Sequence, residues 1–306
     1  MNKRQERLVE QFIAEFGSPA AGSLFCVGAP GRVNLLGEHT DYNDGFVLPM
    51  AMPQEVNIVA ARRPDNFVHI YSLNFEQKAV LDLNRLHEAS PHGWVNYVRG
   101  VLWVLQQAGY APTGLNAVLY GDVPLGAGLS SSAALEIASL LAAESVAGFS
   151  VPPEEAARLA QKAENDVVGV QCGIMDQFAS RLGRRDAALL LDCRSLAYEL
   201  VPFTDATVRI VVINSNVQRG LVDSEYNQRR QECEEGARLL GVPALRDVSK
   251  EQFMEQADRL PPIVRKRSQH VVEENERVLQ AVQYLKDGNY AGFGQAMYAS
   301  HESLRD

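Results

Sequence analysis

The sequence predicts an α+β protein of two domains. Three observations carry that prediction. The chain has 306 residues, about twice the ~150 of a typical domain. Strand-like and helical segments follow one another in mixed order, without the regular alternation that builds a doubly wound parallel sheet. Near residue 200 the composition shifts to long charged helices, so the boundary is placed between 1–202 and 203–306.

Each element has its own signal. The opening "MNKRQERLVEQFIAEFG" sets Leu8, Phe12, Ile13 and Phe16 at helical spacing among charges, which predicts an amphipathic helix and not a secretory leader. From Phe25 to about Tyr71 the chain reads as strands broken by polar turns, including "EVNIVAARR" and "FVHIYSL". In "WVNYVRGVLWVLQQAG" Val98, Leu102 and Leu105 recur at helical spacing and Gly109 supplies the stop. A strand, "GLNAVLYGDVP", leads into the Ala- and Leu-rich helix "LSSSAALEIASLLAAESVAG". Pro152 and Pro153 suit the first turn of the next helix, "EEAARLAQKAEN". Two more strands are expected at "AALLLDCRS" and "TVRIVVINS". The charged helices "DSEYNQRRQECEEGARLLG" and "VRKRSQHVVEENERVLQAVQYLKDG" follow, the second with an apolar seam of Val271, Val278, Val282 and Leu285.

Composition narrows the function. Hydrophobic residues make up 46% and charged residues 22%, as in ordinary globular proteins. The net charge of -9 argues against nucleic acid or an anionic membrane as partner, since both select a basic face. A small anionic ligand remains compatible, through local dipoles and cations. No apolar run reaches the ~18 residues of a membrane span. Cys26, Cys172, Cys193 and Cys233 stand far apart with no C-x-x-C pair, so neither a zinc site nor a disulfide framework is indicated, and a reducing cytoplasm is the expected compartment.

Two passages carry chemistry. In "GDVPLGAGLSSSAALEIASLL" a strand is followed by Gly126 and Gly128, then three serines, then a helix. The glycines let the backbone turn tightly, and the free N–H groups of a helix start form an anion site. A serine-capped helix after a glycine turn is the simpler reading, but three serines exceed what one cap requires. The chain has no Gly-Lys pair, which excludes the Walker loop, and Ser131 stands where a dinucleotide fingerprint needs its third glycine. The second passage, "GAPGRVNLLGEHTDYNDGFVLPMA" from Gly28 to Ala51, packs Arg32, Asn34, Glu38, His39, Asp41 and Asp44 between apolar flanks. A hairpin turn has no use for so many polar groups.

Three stretches resemble one family. "GRVNLLGEHTDYNDGFVLPMA" resembles the galactokinase signature. "VPLGAGLSSSAALE" resembles the nucleotide loop shared by galactokinase, homoserine kinase, mevalonate kinase and phosphomevalonate kinase, the GHMP kinases. "AENDVVGVQCGIMDQFAS" is similar to the galactokinase segment with the catalytic aspartate, and the similarity runs from about Phe25 to the end.

The resemblance implies a fold, a reaction and a set of residues. The fold is an N-terminal ribosomal-S5-like β/α domain with sugar and ATP sites, followed by a ferredoxin-like α+β domain. The reaction is transfer of the ATP γ-phosphate to the anomeric hydroxyl of galactose, with Mg2+ as metal and a cytoplasmic monomer as the working form. Glu38, His39, Thr40, Asp41, Gly173 and Tyr226 are implied to hold the sugar. Asp176 is implied as the base, and Arg32 as the group that keeps it ionised and stabilises transition-state charge; a plain Asp–Arg salt bridge is the alternative. Gly126, Ala127, Gly128, Leu129, Ser130, Ser131 and Ser132 would wrap the phosphates, with Ser72 and Trp94 toward the adenine. Ser132 and Glu164 are the implied Mg2+ ligands.

The chain also departs from the family pattern. Galactokinases carry a third, Gly-Gly-Gly-Phe-Gly-Gly type motif near the C-terminus. "AGFGQAM" at Ala291 to Met297 is only superficially similar and reads as part of an amphipathic helix. The resemblance therefore implies an incomplete second domain. It leaves an impaired fragment, a galactose- and ATP-binding sensor, and a kinase of N-acetylated galactose or arabinose as alternatives to the active enzyme.

Overall fold

The computed structural model describes residues 3–214 and 222–305, with the side chains of 222–226 outside the description. In chain order the first elements are α1 (Lys3–Phe16), β1 (Leu24–Asn34), β2 (Phe46–Val47), β3 (Pro49–Arg62), β4 (Phe67–Ser72) and β5 (Gln77–Asp82). Next come α2 (Gly93–Gln107), β6 (Leu115–Gly121), α3 (Ser131–Ala147), α4 (Pro153–Ala163), α5 (Met175–Leu182), β7 (Ala187–Asp192) and β8 (Tyr198–Pro202). Four helices complete the chain: α6 (Val222–Leu240), α7 (Lys250–Gln256), α8 (Pro262–Lys286) and α9 (Tyr290–Arg305).

Two compact units result, and neither is contiguous. One comprises Met1–Gly31, Met52–Cys172 and Asp176–Leu182; the other comprises Arg32–Ala51, Gly173–Met175 and Gly183–Asp306. The sequence reading places one boundary near residue 200, whereas here the signature loop leaves the first unit at Arg32 and returns to it at Met52.

The first unit is a sheet with helices packed on it. Strands run in the order β3, β6, β4, β5, and β1 pairs with β3. β3 and β6 are antiparallel from Val56↔Gly121 to Arg62↔Leu115, β4 and β6 are parallel from Val68↔Leu115 to Ser72↔Leu119, and β4 and β5 are antiparallel. Alternation along β4 buries Val68, Ile70 and Ser72 and turns Phe67 outward. α1 is the helix its spacing predicts, burying Leu8 and Phe12 against Val59, Ala61 and Val118, with Phe16 half-buried and Ile13 exposed. α3 is buried almost all round, so its Ala-rich composition is what close packing demands. α4 runs without a break into a π-helical turn, Glu164–Val168, closed by Gly169 at φ 94°. Such turns widen a helix locally and often lie at functional sites.

In the second unit β7 pairs antiparallel with β2 and β8, and Met50 of β3 lies opposite Ala188. Val278, Ala281, Val282 and Leu285 of α8 pack with Leu35, Leu36, Leu48 and Val201, as the predicted seam requires. Nearer the start of α8, Val264 and Val271 join Cys233, Leu245 and Phe253. "AGFGQAM" lies inside α9, as its amphipathic flanks predict. One expectation fails: the described part of "TVRIVVINS" is not a strand. Val211 and Ile213 are 75% and 86% exposed there, and a strand exists only through a ladder partner, which no described segment supplies. No described helix is long and apolar enough to cross a membrane.

Candidate active site

The glycine-serine loop ends at the start of α3 in the first unit. Gly126 and Gly128 take φ 69° and 73°, the left-handed region that a side chain disfavours. Ser130 also sits there, at φ 58°, although it is not glycine. The structure overturns the simple cap reading: Ser130 makes no capping hydrogen bond to the helix, and its Oγ donates instead to Asp176 Oδ2 at 2.5 Å. Beneath the loop runs β1, where a Cβ on Gly31 would lie 2.6 Å from the Leu129 carbonyl oxygen. Ser180 of α5 donates to the Pro30 carbonyl at 2.8 Å, so α5, carrying Asp176, is fixed to the strand that supports the loop. Ser131 and Ser132 occupy the first turn of α3, where backbone donors lack intrahelical acceptors.

A buried group of carboxyls lies one turn deeper. Ser132 hydrogen-bonds Glu164, which opens the π turn. Burial and the neighbouring negative charge of Asp176 push the Glu164 carboxyl up to about 7. Glu136, one helical turn beyond Ser132, is fully buried; that burial and the charge of Glu164 push it well above the carboxylate range. Burial and the same carboxylate raise the Cys172 thiol. Glu136 Oε1 is buried without a hydrogen-bond partner. A hydroxyl, crowded carboxylates and an orphaned oxygen form a donor set that fits a hard divalent cation. Among the described residues no group of three or more His, Cys, Asp or Glu is arranged to hold a metal ion.

Ser72 and Trp94 share a neighbour. Ser72 is paired with Gln77 between β4 and β5, and Trp94 Nε1 donates to Gln77 Oε1 at 3.0 Å while its ring stacks on the exposed Phe75. The Ser72 hydroxyl is buried with no partner.

In the second unit the signature loop is held chiefly by α8. Gly37 takes φ 97°, and a Cβ there would stand 2.6 Å from the Phe46 carbonyl oxygen. Its N–H donates to Glu274 at 2.8 Å, the Phe46 N–H donates to Asn275 Oδ1 at 2.9 Å, and His270 Nε2 donates to the Glu38 carbonyl at 2.9 Å. Glu274 is fully buried and also accepts from Ser300 at 2.7 Å and from the Arg277 guanidinium. Burial holds the His270 imidazole below its ordinary value. Thr40 is buried, with its hydroxyl within 2.8 Å of the Gly37 carbonyl and 2.7 Å of the Phe46 carbonyl, so its side chain closes the loop on itself.

His39 stands at φ 65° with its ring between two partners. Arg229 Nη1 lies 3.3 Å from Nε2, and because a guanidinium only donates, Nε2 accepts. Nδ1 then carries the proton and donates to Tyr42 Oη at 2.9 Å. Asp41 and Gly173 come together: a Cβ on Gly173 would fall 1.8 Å from Asp41 Oδ2. Asp44 serves another purpose, pairing with Arg194, which also grips Asp247 in a bidentate pair at 2.7 and 2.8 Å. Arg32 lies half-buried on β1, and the Tyr226 side chain lies outside the described residues. Sequence reasoning missed His270, Glu274, Asn275 and Gln177. The signal for the first two was available: polar residues on the apolar seam of a charged helix.

Residues 10–62 match the family model "Galactokinase galactose-binding signature", and residues 96–184 match "GHMP kinases N terminal domain". The crystal structure of Lactococcus lactis galactokinase complexed with galactose is 35% identical, with a TM-score of 0.92 over 99% of this chain and 80% of that one. The Methanococcus jannaschii mevalonate kinase structure, 16% identical with a TM-score of 0.58 over 93% of this chain and 80% of that one, shares the fold. The fold and its glycine-serine loop are those of the GHMP kinases. A curated galactokinase of Actinobacillus pleuropneumoniae serotype 5b (strain L20) is 43% identical over 99% of this chain and 79% of its own length. The chain belongs to the galactokinase family.

Proposed function

We propose that the chain transfers the γ-phosphate of ATP to the anomeric hydroxyl of galactose, giving galactose 1-phosphate. One observation carries the reading: likeness to a galactose-complexed galactokinase extends over 99% of the chain, signature loop included. Asp176 accepts the proton of the attacking hydroxyl, and the Ser130 hydroxyl at 2.5 Å fixes the direction of that carboxylate. Arg32 stabilises the charge that develops during transfer. The N-terminus of α3 and the loop from Gly126 to Ser132 bind the ATP phosphates. Ser132 and Glu164 hold Mg2+, which when bound neutralises phosphate oxygens. Glu38, Asp41, Gly173 and Tyr226 hold the sugar, with His39 and Thr40 setting the shape of the loop that presents them. The chain acts as a cytoplasmic monomer.

The test is an ADP-release assay on the purified chain with galactose and magnesium-ATP. Glucose, the 4-epimer, is the substrate control and Asp176→Asn is the blank. Turnover with galactose, absent from both controls, is the expected result. A folded chain that binds galactose without releasing ADP would refute the kinase reading and point to a sensor. Comparable turnover in Asp176→Asn would refute the base.

A further inference from the structure

Gln177 follows Asp176 on α5, and its side chain is completely buried. Its Nε2 stands 2.9 Å from Glu164 Oε2 and 3.0 Å from Glu136 Oε2. An amide nitrogen carries two hydrogens, so each carboxyl takes one. In this pose the amide spans both carboxyls. Cys172 Sγ reaches the same Glu164 oxygen at 3.4 Å. With Oε2 held by two donors, rotation of the Glu164 carboxylate would break both contacts, so the direction of Oε1 is set as well.

The bridge ties three elements. Glu136 comes from α3, four residues after Ser132, Glu164 from the π turn, and Gln177 from α5 beside Asp176. We infer that Gln177 is a positioning residue for phosphoryl transfer: it orients the Glu164 carboxylate for the divalent cation and locks that carboxylate to the turn that carries Asp176. The inference rests on the proposed Mg2+ role of Glu164. Outer-shell partners of this kind typically alter metal affinity by about 10–100-fold when removed.

The test uses Mn2+ as the probe. Its dissociation constant is measured by electron paramagnetic resonance, with a saturating non-hydrolysable ATP analogue, for the unaltered chain, Glu164→Gln and Gln177→Met, which keeps side-chain length and loses the amide. Galactose binding by calorimetry monitors the rest of the fold. Gln177→Met is expected to weaken Mn2+ binding by about tenfold or more, raise the KM for magnesium-ATP and leave galactose affinity within twofold. Unchanged Mn2+ affinity in Gln177→Met, with a loss in Glu164→Gln, overturns the positioning role alone. Unchanged affinity in Glu164→Gln refutes the metal reading itself and the inference with it. If Gln177→Met does not fold, Gln177→Asn, one methylene short of the bridge, is read the same way: weakened Mn2+ binding supports the role and retained binding overturns it.

Discussion

Gly173→Ala tests the proposed sugar site at the contact between Gly173 and Asp41. The added Cβ would fall 1.8 Å from Asp41 Oδ2 and 2.3 Å from its Cγ, against a floor of 3.0 Å for real contacts, so the carboxylate must retreat by at least 1.2 Å. The backbone of Gly173 lies outside the left-handed region, so alanine adds no φ strain and the steric contact is isolated. A displacement of about 1 Å in a positioned group can reduce rate by roughly 100-fold. The expected outcome is therefore a fall of about that size in kcat/KM for galactose, carried mainly by KM, while the KM for ATP and the melting temperature stay close to those of the unaltered chain. Isothermal titration with galactose and steady-state kinetics read both. A Gly173→Ala protein with unchanged galactose affinity would refute the role given to the Asp41 carboxylate.

Other predictions concern the scaffold and the base. Glu274→Ala leaves the Gly37 N–H and the Ser300 hydroxyl without their acceptor and the half-buried Arg277 with Glu273 alone; a loss of about 2–4 kcal/mol is expected in urea unfolding, and a loss under about 1 kcal/mol would contradict the account of the loop. His270 is held below its ordinary value of 6.5 by burial, so the unfolded chain binds its proton first. Its contribution to stability is complete above about pH 6.5 and declines as pH falls below it. Urea midpoints at pH 7.5 and 5.5 should therefore differ more in the unaltered chain than in His270→Gln. Ser130→Ala removes the hydroxyl on Asp176, and kcat should fall about tenfold, the equivalent of a charge-assisted hydrogen bond of ~1.5 kcal/mol, with galactose affinity retained.

What the sequence discloses follows the range over which each signal acts. The helices α1, α2 and α8 are legible because their apolar spacing is local, and their stripes are buried as read except for Ile13 of α1, which is exposed, and Phe16, which is half-buried. The loop at Gly126 to Ser132 is legible because glycine and serine at a strand–helix junction have few uses. Its detail is not: that Ser130 forgoes the cap to reach Asp176 depends on α5, 46 residues further along the chain. Glu274 and His270 stand on the apolar seam of α8, but the loop groups that give them a purpose lie more than 230 residues earlier in the chain. "TVRIVVINS" misleads for the opposite reason, since its β-branched residues record a preference that only a neighbouring strand could satisfy. The units are discontinuous because a strand such as β3 can serve both, and no composition shift marks Gly31 or Met52.

The hydrogen bond from Gly37 to Glu274 spans 237 residues of chain. At a synthesis rate of 5–20 residues per second, the loop would leave the ribosome about 12–47 s before its acceptor exists. The first recognition element to be made is thus among the last to acquire a fixed form. During that interval Leu35, Leu36 and Leu48 also lack the α8 side chains that cover them. Substitutions that harm this loop should thus appear first as poor yield at fast growth and only secondarily as poor catalysis.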